Sequence, residues 1–260
     1  MQKDDATDQE YVKNLPVGAA LSWGLVKPSK RGPKREMTIE QIVETAIGIA
    51  DKDGIAAVSM NRVASALGFT AMSLYRYIPS KDDLLLLMQE AVCGIPISPE
   101  KENVDWREEM REYVKANIKV FRDHPWFGDI PIRGIPITPN NLYFVDWMLR
   151  IMRNFPLVDY EKMSIVLLIS NYARSVGLVH RDMDLAVQSG SSPEEFSGLN
   201  YGEALKHLVK PDQFPDLYPV VMSGVYTGEN ELDNPVGNDF DFGLERILDG
   251  IEFYLNSRAT

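Results

Sequence analysis

The chain has 260 residues, of which 45% are hydrophobic and 25% charged, as is usual for a folded globular protein. The acidic and polar residues 1–10 do not resemble a secretory signal peptide, and the lack of any uncharged apolar run of about 18 residues predicts no membrane span. A single cysteine, Cys93, excludes a disulfide framework within the chain and fits a protein of the reducing cytoplasm.

The net charge of −11 is unevenly distributed along the chain. Residues 27–81 carry more basic than acidic side chains, whereas residues 82–260 hold the acidic excess. A basic segment on an acidic body indicates a local phosphate-binding surface, with nonspecific adhesion to DNA opposed elsewhere on the molecule. Chance clustering of charge is the alternative interpretation.

Residues 1–37 are predicted to be a flexible extension without a core of its own. The extension ends in the segment Lys27–Arg35, where five basic residues stand among proline, glycine and serine, which oppose regular structure. This basic arm could follow DNA phosphates or enter a minor groove, and Lys34 and Arg35 are its candidate contacts. A solvated linker is the alternative. Trp23 is too apolar for a free tail, and we expect it to dock.

Four helices are predicted in succession from residue 38. The first begins with the capping-box spacing of Thr38 and Gln41, continues with apolar residues at intervals of three and four, and ends at Gly54. The next two begin at Ser59 and Thr70 and end at Gly68 and Pro79. The fourth opens with a second capping box, formed by Ser80 and Asp83.

The rest of the chain is also predicted to be helical. After an interruption rich in proline and glycine at 94–99, the spacing of apolar residues predicts helices at 103–123, 139–154, 159–188, 193–209, 215–226 and 239–257. Thr138-Pro139 and Ser192-Pro193 have the pattern of an N-cap followed by proline in the first turn. Residues 125–137 are expected to form an irregular loop. No alternating strand pattern of useful length occurs, so the predicted fold class is all-α.

Residues 59–78 have the layout of a helix-turn-helix, in which two short helices are joined by a glycine turn and braced by a preceding helix. The second helix of such a unit has a width suited to the major groove of DNA. Leu74 and Ile78 are expected to face the core, and the other side chains of 70–77 to face outward. The candidate DNA contacts are Ser59, Asn61, Arg62, Thr70, Ala71, Met72, Ser73, Tyr75, Arg76, Tyr77 and Lys81. A small helical bundle with an ordinary polar surface is the alternative.

The order and spacing of these residues resemble the DNA-binding head of the TetR family of transcriptional regulators. The matching stretches are Ile42–Ala46, Asp53-Gly54, Val58–Ala64, Leu67–Ile78 and Ser80–Leu84. The most specific piece is Ser73–Tyr77 (SLYRY) followed by Lys81–Leu84 (KDDL). The long basic arm and the character of the body are more similar to the tetracycline-repressor type than to the shorter members of the family.

The resemblance implies a homodimer whose two heads read half-sites of a palindromic operator in double-stranded DNA. It further implies that residues 70–77 form the recognition helix and that Tyr75 and Lys81 contact backbone phosphates. Asn61 and Met72 are our candidates for base reading, since an amide pairs well with adenine and an apolar group contacts the thymine methyl. Family members also bind a small molecule in the body, and a ligand that fits only one head spacing depletes the DNA-binding form.

The body contains many aromatic and methionine side chains and no basic cluster. This composition favours a hydrophobic or aromatic effector over a polyanion. The candidate effector contacts are Trp106, His124, Trp126, Tyr143, Trp147, Met148, Asn171 and Arg174. For the apolar candidates a core role is the alternative, and for the polar ones a surface or capping role. Asn171 and Arg174 lie at helical spacing, so Arg174 could face a cavity beside Asn171.

Dimerisation is expected to use the C-terminal helices. Residues 239–257 carry an apolar stripe wide enough for a four-helix seam between subunits, formed by Phe240, Leu244, Ile247, Leu248, Ile251 and Leu255. Packing inside one subunit would explain the same stripe.

Other classes of function have little support in the sequence. The three histidines are widely spaced and Cys93 has no neighbouring cysteine, so neither a metal site nor a cofactor is expected. The sequence contains no phosphate loop and no hydrolase motif, so an enzyme is not expected. The expected organisation is the extension 1–37, a helix-turn-helix domain 38–90 and a ligand-binding and dimerisation domain 91–260. We expect a repressor released by its effector; an activator of the same fold and a drug-binding protein without DNA binding are the alternatives.

Overall fold

The computed structural model describes residues 13–26, 37–96, 104–132, 134–190, 192, 201–228, 236 and 238–258. Within these ranges the regular elements are helices and no strand occurs, so the predicted all-α fold is confirmed. No helix in the same ranges has the length and apolar character needed to cross a bilayer. The chain forms two compact units, Met1–Leu178 and Val179–Thr260.

The α-helices that begin in the first unit are α1 (Val17–Ser22), α2 (Ile39–Asp53), α3 (Met60–Ala66), α4 (Ala71–Tyr75), α5 (Lys81–Val92), α6 (Trp106–Asp123), α7 (Pro139–Ile151) and α8 (Asp159–Gln188). Short 3₁₀ helices lie at Ile55–Ala57 and Pro125–Asp129. The second unit adds α9 (Gly202–Leu208), α10 (Leu217–Met222) and α11 (Asp239–Arg258).

The predicted helix bounds agree best where the apolar repeat is long. The helices predicted at 159–188 and 239–257 match α8 and α11 at both ends to within one residue. The helix predicted at 215–226 is shorter, because the backbone turns at Gly224 with a φ of 78° after α10 has ended. The predicted loop 125–137 contains the 3₁₀ helix Pro125–Asp129. Of the helix predicted at 193–209, residues 193–200 lie outside the described residues, and the described remainder contains α9 (Gly202–Leu208).

Helix α1 corrects the expectation that residues 1–37 lack any core contact. Its small residues Gly18, Ala19 and Ala20 are buried, and the helix packs against α5. The backbone N–H of Gly18 donates to Asp83 Oδ1 at 2.7 Å, and a Cβ at Gly18 would lie 2.6 Å from the backbone oxygen of Asp83. The expected docking of Trp23 is present, since its indole N–H donates to the backbone oxygen of Ile137 at 2.9 Å.

Side-chain caps set the start of each helix in the DNA-binding region. The capping box of Thr38 and Gln41 is present in both directions, as predicted. Ser59, Thr70 and Ser80 are the N-caps of α3, α4 and α5, and each side chain accepts from a backbone N–H three residues later. These bonds satisfy donors that would otherwise be free at a helix start. The caps therefore divide residues 38–92 into four helices.

The core beneath α2–α5 extends into the neighbouring part of the body. Its buried side chains include Ile42, Ala46, Val63, Ala64, Leu74, Ile78, Leu84 and Met88. The same cluster contains Val120 of α6 together with Trp126 and Ile130. Burial of each large apolar side chain contributes roughly 1.5–3 kcal/mol. This shared core holds the helices around α4 against the C-terminal end of α6.

The start of α7 is bonded to α5. Thr138 is the N-cap residue and Pro139 occupies the first turn, as predicted, but the Thr138 side chain does not cap the helix backbone. Instead the Glu90 carboxylate accepts from the backbone N–H of Asn140, with its two oxygens at 2.9 and 3.0 Å. The Asn140 side chain in turn donates to the backbone oxygen of Glu90 at 2.9 Å. A carboxylate at a helix N-terminus is favoured by the helix dipole, so this contact fixes α5 to α7.

Part of the apolar stripe predicted for α11 is buried in the single chain. Leu244, Leu248 and Ile251 are buried within the single chain. The ring of Phe240 packs edge-on against His180, with centroids 4.6 Å apart. These residues of the predicted subunit interface therefore pack within one subunit.

Candidate functional site

Helices α3 and α4 form the predicted helix-turn-helix. The turn between them passes through Gly68, whose φ of 78° favours glycine, and is closed by a 2.8 Å bond from the N–H of Phe69 to the oxygen of Ala64. Ala64 is fully buried at this close approach, as expected for a small residue. Leu74 and Ile78 are also fully buried, which agrees with their predicted inward direction.

The outer flank of α4 is available to a ligand as large as a duplex. Met72 is 73% exposed and Tyr75 46% exposed, and Arg76 is exposed beside them. Ala71 and Ser73 are half-buried. The hydroxyls of Thr70 and Ser73 lie 3.1 Å apart and stabilise the start of the helix, so they are used by the fold even though Thr70 is exposed.

Tyr77 differs from the expectation that it faces outward. It is half-buried and packs against the head core, close to the fully buried Ile78. The reason is that Tyr77 lies three residues after the buried Leu74, a helical spacing that places it at the border of the inner face. Tyr77 supports the recognition helix from behind.

The start of α3 offers one free polar group and two that are engaged. Asn61 is exposed. Ser59 caps α3, with its hydroxyl accepting from the N–H of Arg62 at 3.2 Å. The Arg62 guanidinium forms an ion pair with Asp53 of α2, and both side chains are partly exposed. A phosphate contact by Arg62 would therefore compete with a surface ion pair, which is a weak interaction.

Lys81 is the first residue of α5 and is exposed, so its ammonium can approach DNA. The predicted capping box at this start is formed in one direction, with Ser80 Oγ accepting from the N–H of Asp83 at 3.0 Å. The Asp83 carboxylate bonds to the N–H of Gly18 and to the hydroxyl of Ser80. Lys34 and Arg35 of the predicted basic arm lie outside the described residues.

Two of the candidate effector contacts lie at the junction with the helix-turn-helix. His124 Nδ1 is 2.9 Å from Asp51 Oδ1, and the indole N–H of Trp126 donates to the same oxygen at 2.6 Å. Asp51 belongs to α2, the helix that braces α3 and α4. Trp126 is almost completely buried. The polar groups of His124 and Trp126 therefore bind a helix of the head, and their contact with an effector stays a prediction.

The two polar residues expected to lie side by side on α8 have different surroundings. Asn171 is exposed, whereas the Arg174 guanidinium donates to the backbone oxygen of Gly128 at 3.0 Å and lies over the ring of Phe121. Tyr143 is 59% exposed. Trp106 is half-buried and packs edge-on against Phe155, with centroids 5.5 Å apart.

Trp147 and Met148 remain as buried effector candidates, and they lie on α7 beside an aromatic cluster. The Tyr113 ring of α6 packs edge-on against Trp147 at 5.4 Å and against Phe144 at 6.0 Å. The Tyr113 hydroxyl is 2.9 Å from Ser170 Oγ of α8. Burial raises the pKa of the Tyr113 phenol above its usual value, and the bond to Ser170 opposes that effect. Three helices thus meet at a neutral, aromatic region.

Asp51, Asp83 and Glu90 are structural contacts that the sequence analysis did not identify as such. Their carboxylates connect segments that lie 50 to 75 residues apart. One signal was available for Asp51, because an acidic side chain near the C-terminal end of a helix is disfavoured by the helix dipole and needs a compensating partner.

Comparisons with known proteins cover both parts of the chain. Residues 42–88 match the family model described as bacterial regulatory proteins, tetR family, and residues 98–255 match the tetracyclin repressor-like C-terminal domain. The HTH-type transcriptional repressor DrrR1 of Streptomyces coeruleorubidus is 32% identical over 243 residues, which cover 92% of this chain and 86% of that protein. An HTH-type transcriptional repressor of Mycobacterium tuberculosis is 26% identical over 230 residues, covering 85% of this chain and 84% of that protein.

Among solved structures, the ActR protein of Streptomyces coelicolor in complex with actinorhodin superposes with a TM-score of 0.68 and 27% identity. The alignment covers 84% of this chain and 96% of that one. Ligand-free ActR superposes with a TM-score of 0.66 and 26% identity over 87% of this chain.

Proposed function

The chain belongs to the TetR family of bacterial regulatory proteins and is a DNA-binding transcriptional regulator, and we propose that it is a homodimeric repressor which an aromatic small molecule releases from a palindromic operator. The observation that carries the proposal is the exposed flank of α4, held outward by the buried Leu74 and Ile78. Repression is supported by the relatives, two of which are named repressors.

In the proposed complex α4 enters the major groove of a half-site. Met72 and Asn61 read base edges, because both side chains are exposed and their groups suit a thymine methyl and an adenine edge. Tyr75, Arg76 and Lys81 contact phosphates. Lys34 and Arg35 add contacts from the basic arm, a role supported by the cluster of positive charge before α2.

The proposed organisation is a DNA-binding domain at 38–90 and a ligand-binding and dimerisation domain at 91–260, which follows the order of the two family-model matches. Two copies associate through α8 and α11. Large apolar side chains are exposed on both helices, among them Tyr160 and Leu167 on α8 and Phe253 on α11. Exposed apolar area of this kind marks a subunit contact.

The effector is proposed to bind where α6, α7 and α8 meet, with Trp147 and Met148 among its contacts. Support comes from the neutral aromatic surroundings of these residues and from ActR, which a solved structure shows with actinorhodin. Effector binding would bias the position of α7, and α7 is bonded to α5 through Asn140 and Glu90. The head orientation and the effector are coupled through that contact.

Selection from a random duplex library, followed by fluorescence anisotropy, tests the DNA-binding proposal. The selected sequences should contain a palindrome. The protein should bind a duplex with this palindrome roughly 10³-fold or more tightly than an unrelated duplex. Arg76→Ala should weaken binding, whereas Arg246→Ala, which removes an equal charge from α11, should not. Selection of non-palindromic DNA, or equal affinity for both duplexes, contradicts the proposal.

A reporter assay distinguishes a repressor from an activator. Deletion of the gene should raise reporter expression if the protein is a repressor and lower it if the protein is an activator.

A further inference from the structure

The indole of Trp147 has an unusual environment for a buried donor. Its side chain belongs to a residue that is only 4% exposed, and the Nε1 atom has no hydrogen-bond acceptor among the described residues. By contrast, the indole N–H groups of Trp23 and Trp126 donate to Ile137 and Asp51. A buried N–H without an acceptor is costly. An acceptor from outside the described part of the chain would remove this cost.

The groups around Trp147 restrict the chemistry of that acceptor. The neighbouring Tyr113 hydroxyl already bonds to Ser170, and Phe144 and Tyr113 present ring faces and edges. A charged ligand group would be disfavoured beside these neutral rings. Met110 and Met148, on α6 and α7, are fully buried, and methionine adopts new rotamers easily to admit a guest.

We propose that the effector is a flat polycyclic aromatic compound with a carbonyl oxygen that accepts a hydrogen bond from Trp147 Nε1. This inference rests on the proposed function and specifies its ligand class. The rings of the effector stack or pack edge-on with Phe144 and Tyr113. Its carbonyl oxygen accepts the hydrogen bond that the indole N–H otherwise lacks. Selectivity then comes from the carbonyl, because a hydrocarbon of the same shape leaves the indole N–H unpaired.

A matched pair of neutral probes tests the inference: 2-(hydroxymethyl)anthraquinone, which has ring carbonyls, and 2-(hydroxymethyl)anthracene, which has none. The full-length protein should bind the quinone roughly tenfold more tightly, and Trp147→Phe should abolish the preference. Tyr226→Phe, at an exposed aromatic residue of the second unit, should keep it. In a second measurement, the indole ¹⁵N–¹H resonance of Trp147 should shift downfield when the quinone is added, and should not do so when the hydrocarbon probe is added.

Equal affinity of the intact protein for both probes, or an unchanged preference in Trp147→Phe, overturns the inference while leaving an aromatic effector in place. Failure of both probes to bind at any concentration, with operator binding intact, overturns the aromatic effector of the proposed function as well.

A second inference comes from the segment Val17–Trp23, here named the N-terminal strap. One end is fixed to α5 by the buried bond from the Gly18 N–H to Asp83, and the other to the residue before the α7 cap by the bond from Trp23 to Ile137. The strap precedes both ranges matched by the family models.

The strap completes a ring of contacts among three helices. Asp83 is in the first turn of α5, two residues after Lys81, whereas Glu90 near the other end of the same helix bonds to α7. Both ends of α5 are therefore connected to the start of α7. The Glu90 end is connected directly, and the Asp83 end is connected through the strap. The absence of space for a Cβ at Gly18 makes the strap contact close and rigid.

We infer that the strap is a positioning element, which couples the start of α5, beside the recognition helix, to the start of α7. Movement of α7 at residues 137–140 then reaches the DNA-binding surface by two routes. The predicted consequence is that loss of the Trp23 bond weakens the contact between Gly18, at the opposite end of α1, and Asp83.

Hydrogen exchange on the full chain tests this coupling. Trp23→Phe removes only the indole donor of a side chain that is 47% exposed, so the fold is retained. Exchange of the Leu84 and Leu85 amides should accelerate severalfold, and operator affinity should fall about threefold or more. Ser22→Ala, which removes a bond within α1, should have neither effect. Acceleration confined to residues 23–26 and 137–141, with affinity unchanged, overturns the inference.

Discussion

Asp51 and Trp126 are joined by a 2.6 Å hydrogen bond from the indole N–H to Oδ1, which connects the helix bracing the DNA-binding unit to the segment after α6. Trp126 is almost fully buried, so the bond lies at the edge of the shared core. Trp126→Phe should lower the free energy of unfolding by about 1–3 kcal/mol, because it removes a hydrogen bond to a carboxylate and leaves a small void. Urea denaturation measures the change, and Trp106→Phe, at a half-buried indole, should cost less.

Tyr75→Ala and Lys81→Ala should each weaken binding to all duplexes alike. Both side chains are exposed and are proposed to contact phosphates, which carry no sequence information. The slope of log affinity against log salt should fall by about 1 for Lys81→Ala. If anisotropy over a salt series shows both affinity and slope unchanged, the proposed docking of α4 is wrong.

Substitution of Asn61 or Met72 should change which sequence is preferred. A lost base contact costs about 1–3 kcal/mol at one base pair and little elsewhere. Competition binding with single-base operator variants measures the effect for Asn61→Ala and Met72→Ala. Uniform loss over all variants would assign these residues to phosphate contacts instead.

Cys93 should be unreactive in the folded protein. Burial, with a further contribution from the charge of Glu90, raises the pKa of its thiol from 9.0 to about 12. The thiolate is the reactive form, so labelling by a disulfide reagent at pH 8 should require unfolding. The protonated thiol is retained on folding, hence its contribution to stability is complete below pH 9 and is lost as the pH rises from 9 towards 12. Cys93→Ser should show a weaker loss of stability over that range.

Gly177→Ala should destabilise the protein, since a Cβ there would lie 2.7 Å from the Phe121 ring. The expected cost is about 1–3 kcal/mol for forced repacking of α8 against α6. Gly48→Ala is the matched control, because this helical glycine has open space around it and alanine is the better helix former by roughly 0.5–1 kcal/mol. Thermal unfolding of the two variants should shift in opposite directions.

The sequence was most informative where structure is determined locally. The Thr38–Gln41 cap, the buried pair Leu74 and Ile78, and the limits of α8 all depend on residues within one or two turns. Tyr77 was misjudged because it lies three residues after Leu74, at the border of the inner face of the helix. Helix α1 was missed because its short run of small residues has no apolar repeat, and its burial depends on Asp83, 65 residues away from Gly18.

The effector candidates show the same limit. Aromatic richness drew attention to α7, but the pattern could not separate Trp147, for which the described residues offer no acceptor, from Trp126, whose acceptor is 75 residues earlier in the chain. Helical spacing paired Asn171 with Arg174, yet the guanidinium bonds to Gly128 on a different segment. Such partners are set by tertiary contacts that no local window contains.

The bond between Glu90 and Asn140 has a practical consequence for building hybrid regulators. A chimera that joins a foreign head at residue 90 would cut the chain where α5 and α7 are bonded, and would remove Asp51 and Glu90 from their partners on the recipient side. Grafts that bring Asp51, Asp83 and Glu90 together with compatible residues at 18, 124, 126 and 140 should keep their response to the inducer, whereas grafts chosen by the head boundary alone should bind DNA without responding.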